Sequence, residues 1–60
     1  MEAPDRLGKL RHDIANPLAA LLAEAQLLLM DAEKLPGEVR TSLKEIEQLA
    51  IRMRAILRED

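Results

Sequence analysis

The sequence predicts an all-α fold: an antiparallel two-helix hairpin that dimerises into a four-helix bundle. Its 60 residues contain no Phe, Trp or Tyr and are rich in Ala, Leu, Glu, Arg and Lys, which favour helix over sheet. Apolar residues recur at helical spacing on both sides of a single Pro-Gly break. A chain this short with no cysteine needs another source of stability, and self-association is the one we expect.

The first predicted helix runs from about residue 4 to about residue 33. Pro4 suits the first helical turn, where an N–H group would have no partner. At about 100° per residue, an apolar stripe lies within about 40° of Ile14, and Leu22 and Leu29 widen it on one side. The stripe consists of Leu7, Leu10, Leu18, Leu21, Ala25 and Leu28. Such a wide stripe is typical of a helix buried in a bundle.

A polar segment that ends in Pro36 and Gly37 separates the helices, and the turn is predicted at about residues 34–36. The second helix is predicted from about residue 36 to about residue 58, with Pro36 in its first turn. Its apolar seam has alternating spacings of four and three, as in a coiled coil. The seam consists of Val39, Leu43, Ile46, Ala50, Met53 and Leu57, flanked by Ser42, Leu49 and Ile56.

The outer face of the second helix is predicted to be charged and solvated. It consists of Lys44, Glu45, Glu47, Arg52 and Arg54. A single hairpin has one helix–helix contact, so the wide apolar stripe of the first helix would stay partly exposed to solvent. At about 25 cal/mol per Å², several exposed leucines forfeit several kcal/mol, which is comparable to the stability of a small domain. We therefore expect a parallel homodimer.

Composition and charge argue against several classes of function. The net charge is −2 with both signs interspersed, so we expect no nucleic acid partner and no binding to a membrane surface. The apolar runs are far shorter than the roughly 20 residues that span a bilayer, so no direct membrane insertion is expected. A lone histidine without cysteine does not predict a metal site. We expect a cytoplasmic location, either as a separate protein or as the cytoplasmic part of a membrane receptor.

The residues that suggest chemistry surround the single histidine. His12 lies about 160° from Ile14 on the helical wheel, on the solvent side, and Asn16 follows one turn later on the same strip. Pro17 inside a helix removes a hydrogen bond and costs about 3 kcal/mol, which favours a functional kink. Alternatively, Asn16 and Pro17 are the N-cap and first residue of a helix that begins there. The apolar stripe stays in phase across Pro17, which favours one continuous, kinked helix.

Residues 12–18, His-Asp-Ile-Ala-Asn-Pro-Leu, resemble the H-box of sensor histidine kinases. That pattern is His, an acidic residue, two variable positions, Thr or Asn, Pro and Leu. The following Ala-Ala-Leu-Leu and the helix–turn–helix layout are also similar to the dimerisation and histidine phosphotransfer (HisKA-type) domain. The resemblance covers residues 1–60 as one domain. It departs at Ala15, where the family usually has Arg, and Arg11 is the candidate replacement for that cation.

The resemblance implies that His12 is the phosphoacceptor of a two-component phosphorelay. It would receive its phosphoryl group from ATP and pass it to an aspartate of a response-regulator receiver domain. The resemblance also implies that Asp13 accepts a proton from the imidazole and that Asn16 positions a water for phosphatase activity. A purely structural helical dimerisation module, without phosphotransfer, remains the alternative.

No Gly-rich phosphate loop and no Asn-rich nucleotide box is present in the sequence. We therefore expect this chain to bind no cofactor and no metal itself. The resemblance implies that ATP and Mg²⁺ act through a separate ATP-binding catalytic domain of the same kinase. Whether the chain counts as an enzyme by itself stays open at this point.

Overall fold

A computed structural model describes residues 2–58, with side chains described from residue 6 onward. Two helices, α1 (Glu2–Leu29) and α2 (Gly37–Arg58), are joined by a short 3₁₀ turn at Ala32–Lys34. They pack antiparallel into a rod with extents of 51 × 15 × 12 Å. The prediction of an all-α hairpin is confirmed. The predicted domain extent of 1–60 also includes residues 1, 59 and 60, which lie outside the described residues.

The first helix is continuous through Pro17. Residues on both sides of the proline are helical, so the alternative in which a helix begins at Asn16 and Pro17 is wrong. Proline has no N–H, and the carbonyl of Asp13 therefore lacks the donor that normally comes from four residues ahead. Pro4 lies in the first turn of α1, as predicted. Neither helix has a described stretch long and apolar enough to cross a bilayer.

The end of α1 differs from the prediction. The helix ends at Leu29 instead of near residue 33. The amide of Met30 bonds to both the Gln26 carbonyl, at 3.1 Å, and the Leu27 carbonyl, at 3.2 Å. Beyond it, amides bond three residues back, ending with Leu35 bonded to Ala32 at 3.0 Å. This tighter spacing converts the predicted last turn of the helix into a 3₁₀ connection.

The second helix begins at Gly37, one position after the predicted start. The carbonyl of Pro36 accepts a hydrogen bond from the Arg40 amide at 3.0 Å, so Pro36 flanks the first turn and does not belong to it. The Arg40 guanidinium donates from Nη1 to the Ala32 carbonyl at 3.1 Å. Arg40 of α2 thereby donates to two carbonyls of the connection, those of Ala32 and Pro36, and stabilises the hairpin turn.

The core within one hairpin is small. Leu18, Leu22 and Ala25 of α1 are buried, and Ala50 of α2 is only 1% exposed. Leu57, half-buried, packs against this cluster. Ala50 lacks a long side chain, so the two helices can approach closely at the centre of the rod. The core therefore sets the rotation of α2 about its own axis.

The charged outer face predicted for α2 needs a correction at Glu47. Its side chain is half-buried, and Oε2 accepts a hydrogen bond from Gln26 Nε2 at 3.2 Å. The contact joins the middle of α2 to the last turns of α1. The wheel for α2 alone could not reveal it, because the position of α1 decides which flank of α2 is covered.

The wide apolar stripe predicted for α1 divides into two faces in the structure. One face packs on α2, and the other stays exposed. By helical phase, most of the exposed large apolar side chains of α1 and α2 lie on one side of the hairpin, which we call the open apolar face. It consists of Leu7, Leu10, Ile14, Leu21 and Leu28 from α1 and Val39, Ile46, Leu49, Met53 and Ile56 from α2. This hairpin therefore leaves more large apolar side chains exposed than it buries.

Candidate functional site

His12 projects from α1 with an exposed imidazole, next to Asn16 one turn later. The Asn16 amide nitrogen, Nδ2, lies 3.4 Å from His12 Nε2. An amide nitrogen can only donate, so in the tautomer that carries the ring proton on Nδ1 this contact uses the Nε2 lone pair. A hydrogen bond of this length is weak. The contact with Asn16 therefore orients the imidazole, and an incoming group that binds Nε2 can easily break it.

Asp13 is next to His12 in sequence, but its carboxylate lies against a different partner. Oδ2 accepts a hydrogen bond from Lys9 Nζ at 2.8 Å. The two side chains are 53% and 77% exposed, so the pair stabilises α1 by only a few tenths of a kcal/mol. Consecutive helical residues point about 100° apart. The structure accordingly brings Asn16 to the imidazole and pairs Asp13 with Lys9.

His12 and Asn16 line an open cleft of about 410 Å³ between the two helices. The other lining residues are Arg11, Ala15 and Ala19 from α1 and Arg54, Leu57 and Arg58 from α2. The small side chains of Ala15 and Ala19 leave room beside the imidazole. By helical phase, the cleft and the open apolar face lie on opposite sides of the hairpin. A partner that covered the apolar face would therefore leave His12 accessible.

Among the side chains that the structure describes, the charge of the cleft is positive. Its charged lining residues are Arg11, Arg54 and Arg58, and no carboxylate of the described side chains, residues 6–58, lines it. Arg11 and Arg54 are half-buried, and Arg58 is exposed. The chain as a whole has 11 acidic and 9 basic residues, so this local sign opposes that of the protein. A concave surface lined by one sign of charge concentrates ions of the other sign, and this cleft suits an anion.

Sequence reasoning missed the contribution of α2 to this site. It placed Arg54 on the solvated outer face, which is wrong, because Arg54 is half-buried and lines the cleft. A signal was present in the spacing: Ala50, Arg54 and Arg58 recur every four residues. They form a strip on α2 that starts in the core and leads to the cleft. In an antiparallel hairpin, residues equally far from the connection meet, which puts the end of α2 beside His12.

The lining of the cleft does not suit a divalent cation. Mg²⁺ prefers carboxylate and other oxygen ligands, whereas this cleft offers one imidazole among arginines. Elsewhere in the part of the chain that the structure describes, no group of three or more His, Cys, Asp or Glu residues could hold a metal ion. The site is therefore built for an anion that meets an imidazole nitrogen.

A family model described as the His Kinase A (phospho-acceptor) domain, HisKA, matches residues 6–59. The chain belongs to the HisKA family. The match includes α1 from residue 6 onward, the connection, all of α2 and every residue that lines the cleft. Comparison with curated proteins and with solved structures found no match. The resemblance seen in residues 12–18 is thus confirmed at the level of the family.

HisKA membership gives the hairpin a general role. Domains of this family are the phosphoacceptor and dimerisation units of histidine kinases in two-component signalling. They typically dimerise within those kinases. In this HisKA domain the open apolar face is exposed, and the chain's one histidine lines the cleft.

Proposed function

We propose that this HisKA domain is phosphorylated on His12 and passes the phosphoryl group to an aspartate of a response-regulator receiver domain. The observation that carries the proposal is the position of the chain's single histidine, exposed in an anion-attracting cleft within the HisKA match. ATP is the phosphoryl source, bound by a separate catalytic domain of the kinase. Phosphoryl transfer depends chiefly on positioning and charge, and a rigid helix with nearby arginines provides both.

In the proposed reaction, the Nε2 lone pair of His12 attacks the γ-phosphorus of ATP. The new N–P bond forms as the bond to the bridging oxygen breaks, and ADP leaves. Asn16 must give up its weak contact with Nε2 during this step. Loss of the Nδ1 proton then leaves a neutral phosphorylated imidazole ring.

Asp13 is the proposed acceptor of the Nδ1 proton. Its carboxylate must leave Lys9 to do so, and this costs little because the ion pair is exposed. An Asp13→Asn variant keeps the shape but not the basicity, so we expect its rate of phosphorylation to fall by about 10²-fold or more. An unchanged rate, measured by the time course of labelling, would remove Asp13 from the mechanism.

Asn16 is proposed to act in the opposite direction, on the phosphorylated receiver. When a receiver domain covers the cleft, the Asn16 amide can hydrogen-bond a water and orient that water toward the aspartyl phosphate. We expect Asn16→Ala to keep phosphorylation of His12 while dephosphorylation of the receiver is lost. Equal dephosphorylation by the wild type and the variant would contradict this role.

The open apolar face is the proposed homodimer interface. Two hairpins that pair through it form a four-helix bundle, and both His12 clefts then point outward. Burial of a Leu, Ile, Val or Met side chain contributes about 1.5–3 kcal/mol. The face has enough half-exposed side chains of these types for a stable dimer.

The decisive experiment is labelling of the chain with γ-labelled ATP and the catalytic domain of a histidine kinase. We expect a phosphoprotein that is labile in acid and stable in alkali, as a phosphorylated imidazole is. The His12→Gln variant, checked for equal helicity by circular dichroism, should carry no label. Labelling of that variant would refute the site. A folded dimer that no catalytic domain labels would favour the purely structural module.

A further inference from the structure

The wall of the cleft that faces His12 belongs to α2 and contains two arginines and one leucine. Arg54 is the more enclosed of the two cations, half-buried where Arg58 is exposed. On the α1 wall, Arg11 also contributes a positive charge, whereas Ala15 and Ala19 contribute none. A group attached to His12 Nε2 would lie between this wall and the guanidinium groups of the opposite helix.

The backbone beneath Arg54 is held in place by the core on both sides. Ala50, one turn before, is 1% exposed, and Leu57, almost one turn after, packs against the buried cluster. Arg58, at the end of α2, is exposed. A guanidinium is planar and presents paired N–H donors that match two phosphoryl oxygens. Arg54 is thus the better placed of the two cations on α2.

We propose that Arg54 binds the phosphoryl group on His12, from the opposite helix of the hairpin, and that Arg58 is a weaker second cation. The inference rests on the proposed function only in taking His12 as the phosphorylated residue. It assigns Arg54 as the residue that binds the phosphoryl charge, so both helices of the hairpin form the site. The α1 helix alone, with His12 and Asn16, holds only part of it.

A positive group beside a phosphoryl group favours its doubly charged form. For unit charges about 6 Å apart in water-like surroundings, the interaction shifts the midpoint of ionisation by about 0.5 pH unit. Among residues 6–58, the charged and titratable side chains that line the cleft are Arg11, His12, Arg54 and Arg58. Asp13 and Lys9 lie nearby on α1 and offset each other. Removal of one facing cation should therefore raise the midpoint.

The test uses the whole 60-residue chain, phosphorylated without a kinase. Phosphoramidate transfers its phosphoryl group to an imidazole nitrogen: its own N–P bond breaks, ammonia leaves and a new N–P bond forms. With one histidine in the chain, the phosphorylated residue is defined. Phosphorus NMR at a series of pH values then gives the midpoint at which the phosphorylated imidazole, ring and phosphoryl group together, takes up a proton. A nearby cation lowers this midpoint at either position. The salt concentration is about 0.15 M, where charges beyond about 8 Å are screened.

We expect Arg54→Gln to raise the midpoint by about 0.5 pH unit and Arg58→Gln to raise it less. Arg54→Lys keeps the charge and should stay near the wild type. The matched control is Arg52→Gln, which removes the same charge from an exposed position outside the cleft. Its midpoint should not move. Circular dichroism confirms that each variant keeps the helicity of the wild type.

Three results would overturn the inference. The first is an equal midpoint for Arg54→Gln and Arg52→Gln. The second is a shift for Arg54→Lys as large as for Arg54→Gln, since that would exclude charge as the cause. The third is a wild-type chain that phosphoramidate does not modify, because the cleft would then not admit a phosphoryl group. Failure of the proposed function is detected by a different experiment. In that case, the chain carries no label after incubation with labelled ATP and a catalytic domain.

Discussion

Two adjacent leucines of α1 test the division of its apolar stripe. Leu22 is 4% exposed and belongs to the core of one hairpin, whereas Leu21 is 52% exposed and belongs to the open apolar face. The same substitution at each position, Leu22→Ala and Leu21→Ala, should therefore affect different equilibria. Leu22→Ala destabilises the hairpin itself. Leu21→Ala weakens the association of two hairpins.

The expected magnitudes follow from burial. Leu22→Ala leaves a cavity in the core and should cost about 2–5 kcal/mol in the folding of each hairpin. Leu21 can bury at most its remaining half in a dimer, which is worth roughly 0.8–1.5 kcal/mol per copy. Two copies lose about 1.5–3 kcal/mol per dimer, so Kd should rise by at most about 10- to 150-fold.

The assay is sedimentation equilibrium over a range of chain concentrations, with helicity and Tm followed by circular dichroism. Leu21→Ala should keep its helicity at high concentration and show a larger Kd. Leu22→Ala should lose helicity or Tm at every concentration. Leu27→Ala is the control, since Leu27 is 61% exposed but lies outside the open apolar face.

Equal Kd values for Leu21→Ala, Leu27→Ala and the wild type would contradict association through the open apolar face. A wild-type chain that stays monomeric at millimolar concentration with full helicity would contradict it as well. Either result would mean that the open apolar face is not the surface through which two copies associate.

Two further changes test the helix and its connection. Pro17→Ala gives the Asp13 carbonyl its missing donor, and we expect it to raise the free energy of unfolding by up to about 3 kcal/mol; a lower Tm would contradict this. Arg40→Ala removes the guanidinium bond to the Ala32 carbonyl and should lower the free energy of unfolding in urea by about 1.5 kcal/mol. Arg52→Ala is its control, and equal urea midpoints for the two variants would falsify the role of Arg40.

Much of the fold and half of the site followed from local sequence. Two helices were predicted because apolar spacing and a Pro-Gly break act over a few residues. The continuity of α1 through Pro17 followed from the phase of the stripe. His12 and Asn16 were placed together because residues four apart in a helix are neighbours, and the structure puts their side chains 3.4 Å apart. The role of Asp13 remains a prediction, since its carboxylate lies on Lys9.

What the sequence determined by itself was the set of elements and the strip that carries His12, because both depend on helical periodicity alone. The packing of α1 against α2 decided the rest. It chose which leucines of one stripe are buried, and it brought Arg54 from a presumed outer face to the cleft. A helical wheel gives angles within one helix. The direction in which the neighbouring helix lies is set by the hairpin connection and the core, and only the tertiary structure contains it.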